Sequence, residues 1–336
     1  MAGLTTTGAF QPTPPVSIGA ATESMRLGVR LHAFAGLARK MKEKEIAGLR
    51  EASAELLESR ASGATATDEI ATLLRKKVPG SLSLIAEYRR KGQNLGSFEQ
   101  LPPKIISHDF RDAGAEVVAV LLDSATGGCT IADAEEIIAE QNSARGDFPG
   151  PSPLIVHDMI IDEVQLAQAA AIGAKGVLLS AAVLGERDLG SMLKAATEYG
   201  LEAIVEVKNQ QEVALAKSLD FGIRASDIMA ISGVSVDTAI ELLPQLPEKA
   251  VKVVFIPSYN DKQLIEAEDA WRLRDYGCNC VWASEVLFKF GYQDGEHCYS
   301  VIKAIKSKGS VKYARASGAY NGMGEGAKEF LGTICD

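Results

Sequence analysis

The sequence predicts a closed (β/α)8 barrel of the TIM type, with an N-terminal helical extension and a Gly-rich C-terminal tail. Three observations carry this. Short runs rich in β-branched residues recur eight times with helical segments between them, the signature of a parallel sheet built from βα units. Several helical segments stop at a glycine, which takes a left-handed φ at a helix end without steric cost. The segment after the first run, Tyr88 to Gly96, lacks the G-x-G-x-x-G turn that marks the competing open, doubly wound sheet. The chain's 336 residues suit one barrel of about 250 residues with extensions.

In chain order, Met1 to Glu23 is rich in Thr, Pro, Ala and Gly. It has neither the apolar stretch of a secretion signal nor the Arg content of a transit peptide, and reads as what remains after processing. Ser24 to Ser59 follows helical spacing, with Leu, Ala and Met on one side and Lys, Arg and Glu on the other. The eight strand runs are Leu82 to Glu87, Glu116 to Leu121, Pro153 to His157, Gly176 to Ser180, Ala203 to Val207, Asp227 to Ile231, Lys252 to Ile256 and Cys280 to Ser284. The clearest amphipathic helices are Glu163 to Ile172, Leu189 to Tyr199, Gln210 to Leu219, Asp237 to Leu246 and Asp261 to Tyr276. Gly173, Gly200 and Gly277 supply the stops. The domain plan is an extension and helix over 1–58, a barrel over 59–308 and a tail over 309–336.

Composition narrows the function classes. No window approaches the roughly 18 uninterrupted apolar residues of a membrane-spanning helix, so no membrane span is expected. The net charge of -9, with no Lys/Arg cluster, speaks against nucleic acid as a partner. The odd set Cys129, Cys278, Cys280, Cys298 and Cys335 fits reduced thiols in a reducing compartment. Cys278 and Cys280 could share a face, but two thiols without further Cys or His make a poor clamp; neither a metal nor a cofactor is expected.

In such a barrel, chemistry sits at the C-terminal ends of the strands. Three ionisable residues meet that description: Glu87 on strand one, His157 closing strand three and Glu206 on strand five. Burying a carboxylate is costly unless it is paired or used, and two carboxylates at one mouth can have their pKa values pushed apart for acid and base roles. The plainer alternative is structural ion pairing, with Arg89 for Glu87 and Lys208 for Glu206.

Leu84-Ile85-Ala86-Glu87-Tyr88-Arg89-Arg90-Lys91 resembles the first-strand signature of indole-3-glycerol phosphate synthase, and Ile155-Val156-His157-Asp158-Met159-Ile160-Ile161-Asp162 resembles its third-strand segment. Gly173 to Leu179, Gly200 to Val207 and the pre-barrel stretch Met41 to Ile46 continue the similarity, which covers Ala38 to Phe290. The resemblance implies closure of an indole ring on a phosphorylated anthranilate derivative, with loss of carbon dioxide and water and without a cofactor. It also implies a set of site residues, of which Glu87 and Glu206 match. Arg89 stands for a strand-one lysine and is a poor proton donor, because its pKa stays above about 12. His157 stands for the general-acid lysine of strand three, shorter and losing its charge near neutrality. Ser232 and Val234 stand where an Asn and an Arg are implied after strand six.

The implied phosphate donors after strands seven and eight fall on Pro257-Ser258 and Ser284-Glu285. Pro257 offers no N–H, and a carboxylate a few Å from a phosphate costs about 1 kcal/mol even when screened. The expected catalytic set is Glu87, Glu206, His157 and Arg89, and the expected ligand-contact set is Ser232, Ser258, Ser284 and Glu285. The leading expectation is a repurposed, non-catalytic binding or scaffold protein that docks a protein partner through the N-terminal helix or the tail, or binds a small molecule. The alternatives are an active lyase of tryptophan biosynthesis, or a different reaction on an unphosphorylated substrate using Glu87 and Glu206. A mouth filled by Tyr88, Phe255 or the tail would favour the scaffold. The resemblance, together with the Thr- and Pro-containing start, points to the plastid stroma or the cytoplasm.

Overall fold

The structure is a computed structural model that describes residues 39–50, 57, 66–75, 80–92, 96–97, 102–123, 126–219, 227–259, 265–288 and 297–307. Residues 39–50 are helical, within the expected Ser24 to Ser59 helix; the tail from 309 onward and Cys335 lie outside the described residues.

Eight parallel strands close into a barrel: β1 Ser83–Tyr88, β2 Val117–Leu121, β3 Leu154–His157, β4 Gly176–Ser180, β5 Glu202–Val207, β6 Ile228–Ile231, β7 Val251–Phe255 and β8 Cys280–Ala283. Every expected strand is present, with ends moved by no more than a residue or so. Helices follow them in order: α1 Pro103–Ala113, α2 Ile131–Ser143, α3 Glu163–Ala171, α4 Ala181–Glu198, α5 Gln210–Ser218, α6 Val236–Leu242, α7 Ile265–Asp275 and α8 His297–Lys306. The helix expected over Asp237 to Leu246 is shorter, because Pro244 tightens its end into a 3-10 turn over Leu243–Gln245. Capping fixes the starts: the Thr130 and Asp133 side chains form a reciprocal capping box on α2, and Asp162 and Gln165 do the same on α3.

Register and side-chain alternation sort the inward-facing residues into layers of four drawn from alternate strands. Val117, Gly176, Ile228 and Cys280 lie lowest, followed by Ile85, Ile155, Ile204 and Val253. Above these come Ala119, Leu178, Ala230 and Trp282. The topmost layer is Glu87, His157, Glu206 and Phe255. The lower three layers belong to one apolar cluster inside the barrel, while a second, larger cluster packs the strands' outer faces against the helices.

A short helix, Glu69–Leu74, closes the bottom by placing Ile70, Ala71 and Leu74 in the inner cluster. Its first-turn amides are held by Glu202, which accepts from Ile70 N–H at 2.8 Å and Ala71 N–H at 3.0 Å. Gly176 makes this seat: a Cβ there would stand 2.6 Å from Ile70 Cδ1 and 3.0 Å from Glu202 O. Cys278 and Cys280, which could share a face had both lain in the strand, do not, because β8 begins only at Cys280. Cys278 packs in the outer cluster and Cys280 inside the barrel, both as free thiols. Tyr88, offered above as a filler of the mouth, is 1% exposed and points outward into the helix layer.

Candidate active site

The polar layer is where the strands end and the barrel opens. Glu87 is 1% exposed, and both of its carboxylate oxygens are engaged. One carboxylate oxygen, Oε2, meets His157 Nδ1 at 2.6 Å and accepts from Trp282 Nε1–H at 2.8 Å. The other, Oε1, accepts from the Ser284 hydroxyl and lies 3.8 Å from Arg89. Burial pushes the Glu87 pKa up, but His157, then Arg89 and Ser284, more than offset this and hold it below the usual carboxylate range. For His157, burial favours the neutral ring, yet the facing Glu87 carboxylate wins and raises its pKa above the ordinary value. Each group thus favours the charged form of the other.

Arg89 is spent on the same network. Its guanidinium donates to Lys91 O, to Ser284 Oγ at 2.9 Å and to Thr126 O at 3.3 Å. Ser284, expected as a ligand contact, thus bridges Arg89 and Glu87. Glu285 is buried at the start of the 3-10 turn Glu285–Phe288, and Ser258 is half-buried in the loop after β7.

Glu206 differs. Its side chain keeps 13% exposure, accepts from the Ser232 hydroxyl and stands 3.8 Å from Lys208 Nζ. Burial raises its pKa, and Lys208 with neighbouring hydroxyls lowers it further than that, so it too titrates low. The two carboxylates are not pushed apart as an acid and base pair, a correction to the sequence reading. Opposite charge arises between Glu87 and His157 instead. Both structural pairings weighed from sequence, Glu87 with Arg89 and Glu206 with Lys208, are present at 3.8 Å.

One residue of the site, Trp282, was missed from sequence. Trp282, fully buried, stacks on Phe255 with ring centroids 4.4 Å apart and planes 13° from parallel. His157 meets both rings edge-on, at 5.7 and 5.9 Å. Phe255 was weighed as a filler, and it does roof Trp282. The signal was available: strand alternation places Phe255 in the same layer as Glu87 and Trp282 in the layer beneath. Val234, where an arginine was implied, packs against the outer cluster. Among the described residues, no group of three or more His, Cys, Asp or Glu is placed to hold a metal, and no helix is long and apolar enough to cross a membrane.

Comparison with known proteins places this arrangement. A family model described as indole-3-glycerol phosphate synthase matches residues 37–270, most of the chain. The chain belongs to that family. A curated indole-3-glycerol phosphate synthase from Roseiflexus is 29% identical over 238 residues, spanning 69% of this chain and 84% of the relative. One from Bacteroides thetaiotaomicron is 30% identical over 226 residues, spanning 66% and 80%. Among solved structures, the tryptophan synthase alpha chain of Legionella pneumophila aligns over 72% of this chain and 97% of its own, with a TM-score of 0.51 at 12% identity. That likeness is one of fold alone. Within an indole-3-glycerol phosphate synthase barrel, then, the strand-one glutamate is engaged by four side chains and the strand-three position is its counter-ion.

Proposed function

We propose that this member of the family has given up ring closure and is retained as a non-catalytic binding or scaffold barrel. One observation carries the reading: Glu87 is 1% exposed and both of its oxygens are already engaged, Oε2 by His157 and Trp282 and Oε1 by Ser284 with Arg89 3.8 Å away, so a substrate reaches it only by opening that network. A base must lie within hydrogen-bond reach of the proton it takes. Freeing Glu87 would leave a buried imidazolium and a guanidinium without their shared carboxylate, at a cost of several kcal/mol. His157 and Glu206, with side chains 22% and 13% exposed, are the charged groups of the layer left to contact a small ligand. Ser232, whose hydroxyl donates to Glu206, is the ligand contact beside them. A protein partner would dock through the N-terminal helix or the C-terminal tail, in the plastid stroma or the cytoplasm.

The deciding experiment incubates the purified chain at high concentration with the phosphorylated anthranilate–ribulose substrate and follows indole fluorescence, beside a His157→Lys variant. The expected result is no turnover by the wild type. Saturable turnover would overturn the proposal and restore the chain to tryptophan biosynthesis as an active lyase. Turnover confined to unphosphorylated aromatic substrates and abolished by Glu206→Gln would favour a different reaction on the same barrel.

A further inference from the structure

Trp282 carries more than packing. It sits in the layer beneath the polar one with Ala119, Ala230 and Leu178, so two of its three layer partners are as small as an alanine. That leaves the middle of the barrel for one bicyclic ring. The ring lies flat under Phe255, which is the last residue of its strand and only partly buried, and its Nε1–H points to Glu87 Oε2 at 2.8 Å. The other tryptophan, Trp271, is held in the outer cluster by a bond from its Nε1–H to Ile305 O. The chain therefore carries one indole inside the barrel, stacked and hydrogen-bonded as a bound ligand would be.

We infer that Trp282 is a resident occupant of a latent site for a bicyclic heteroaromatic bearing a ring N–H, and that it sets how deep any ligand of this barrel can go. Phe255 is the roof of that site, Glu87 its N–H acceptor, and Ala119 and Ala230 its small walls. With Trp282 in place, ligands reach only the ledge formed by His157, Glu206, Ser232 and Lys208. The inference rests on the reading that Glu87 is withheld from chemistry.

Two measurements test it. In Trp282→Gly and Trp282→Ala variants, free indole should bind with measurable heat by calorimetry and raise the melting temperature, while the wild type takes up none. 1-Methylindole, which fills nearly the same volume without the N–H, should bind at least tenfold more weakly. Equal binding of the two would reduce the site to an apolar hole and overturn the inference, as would no uptake by a folded variant. Should both variants fail to fold, Trp271→Phe leaves Trp282 as the sole tryptophan, read by excitation on the red edge of the tryptophan band. Adding Phe255→Ala should then raise acrylamide quenching of Trp282 severalfold, whereas unchanged quenching would show that the ring does not face the mouth. Turnover by the wild type would defeat the non-catalytic reading alone; the indole selectivity of the variants judges Trp282 separately.

Discussion

Both ends of the barrel bury a carboxylate, and the two fare differently. Glu87 at the top is 1% exposed and titrates low; Glu202 at the bottom is 6% exposed and its pKa is pushed up to about 7. Each pays for desolvation and each accepts two or more hydrogen bonds. What separates them is the sign of the neighbours. Glu87 faces the His157 imidazolium and Arg89, whereas Glu202 receives two backbone N–H bonds but stands near Asp68 and Glu69. Two amides do not compensate a buried charge among like charges, while one imidazolium and a guanidinium do.

The largest effect that would break this contrast comes from Glu87→Ala. It leaves His157 and Arg89 without their shared carboxylate, and removing one partner of a buried pair costs roughly 3–5 kcal/mol. Urea denaturation at pH 7 should show that loss at an unchanged m-value; a loss below about 1 kcal/mol would mean that the cations relax into solvent and the network is not what holds the mouth. Ser284→Ala comes next. Its hydroxyl donates to Glu87 and accepts from Arg89 at 2.9 Å, so its removal should cost about 1–2 kcal/mol by the same measurement.

The bottom is tested by pH. Glu87 is lowered, so its contribution is complete above its ordinary value of 4.5 and lost as pH falls; His157 is raised, so its contribution is complete below 6.5 and lost as pH rises through its folded value. Between pH 4.5 and 6.5 the mouth is therefore flat. Glu202 is raised from 4.5 to about 7, so the folded state binds more protons there and stability falls as pH rises through that window. Discounted for solvent screening, the fall is on the order of 1 kcal/mol. Glu202→Gln should remove the slope, and a slope of unchanged size in the variant would assign it to other groups.

Some of this contrast was legible in sequence and some was not. The eight strands were readable because β-branched runs and helical segments alternate, and so was the placing of Glu87, His157 and Glu206 at strand ends. The boundary at Asp237 to Leu246 failed because apolar periodicity continues past Pro244 while the helix does not. Trp282 escaped for a different reason. A tryptophan in an apolar strand signals core, and only the register that pairs it with Ile85 shows that its ring lies below the polar layer. The plug Glu69–Leu74 escaped as well, since six residues are too few to show a helical period. Its fit depends on Gly176, a residue whose role appears only when Ile70 is seated against it.

The smallest expected effect sharpens the comparison from within the mouth itself. Glu206 shares a layer with Glu87, but its side chain is 13% exposed and its cationic neighbour Lys208 is 44% exposed, so water screens the pair. Exposed or half-exposed ion pairs are worth about 0–1 kcal/mol. Glu206→Gln keeps an oxygen for the Ser232 hydroxyl and removes only the charge, so its cost should stay under about 1 kcal/mol and shrink further in 1 M salt, as double-mutant cycles with Lys208→Met would resolve. The variant should also lower the His157 pKa, since Glu206 is among the groups that raise it; NMR titration of the imidazole would read this directly. If Glu206→Gln instead matched the Glu87→Ala loss, burial rather than the sign and exposure of the neighbours would set the worth of a carboxylate here, and the contrast between top and bottom would need another cause.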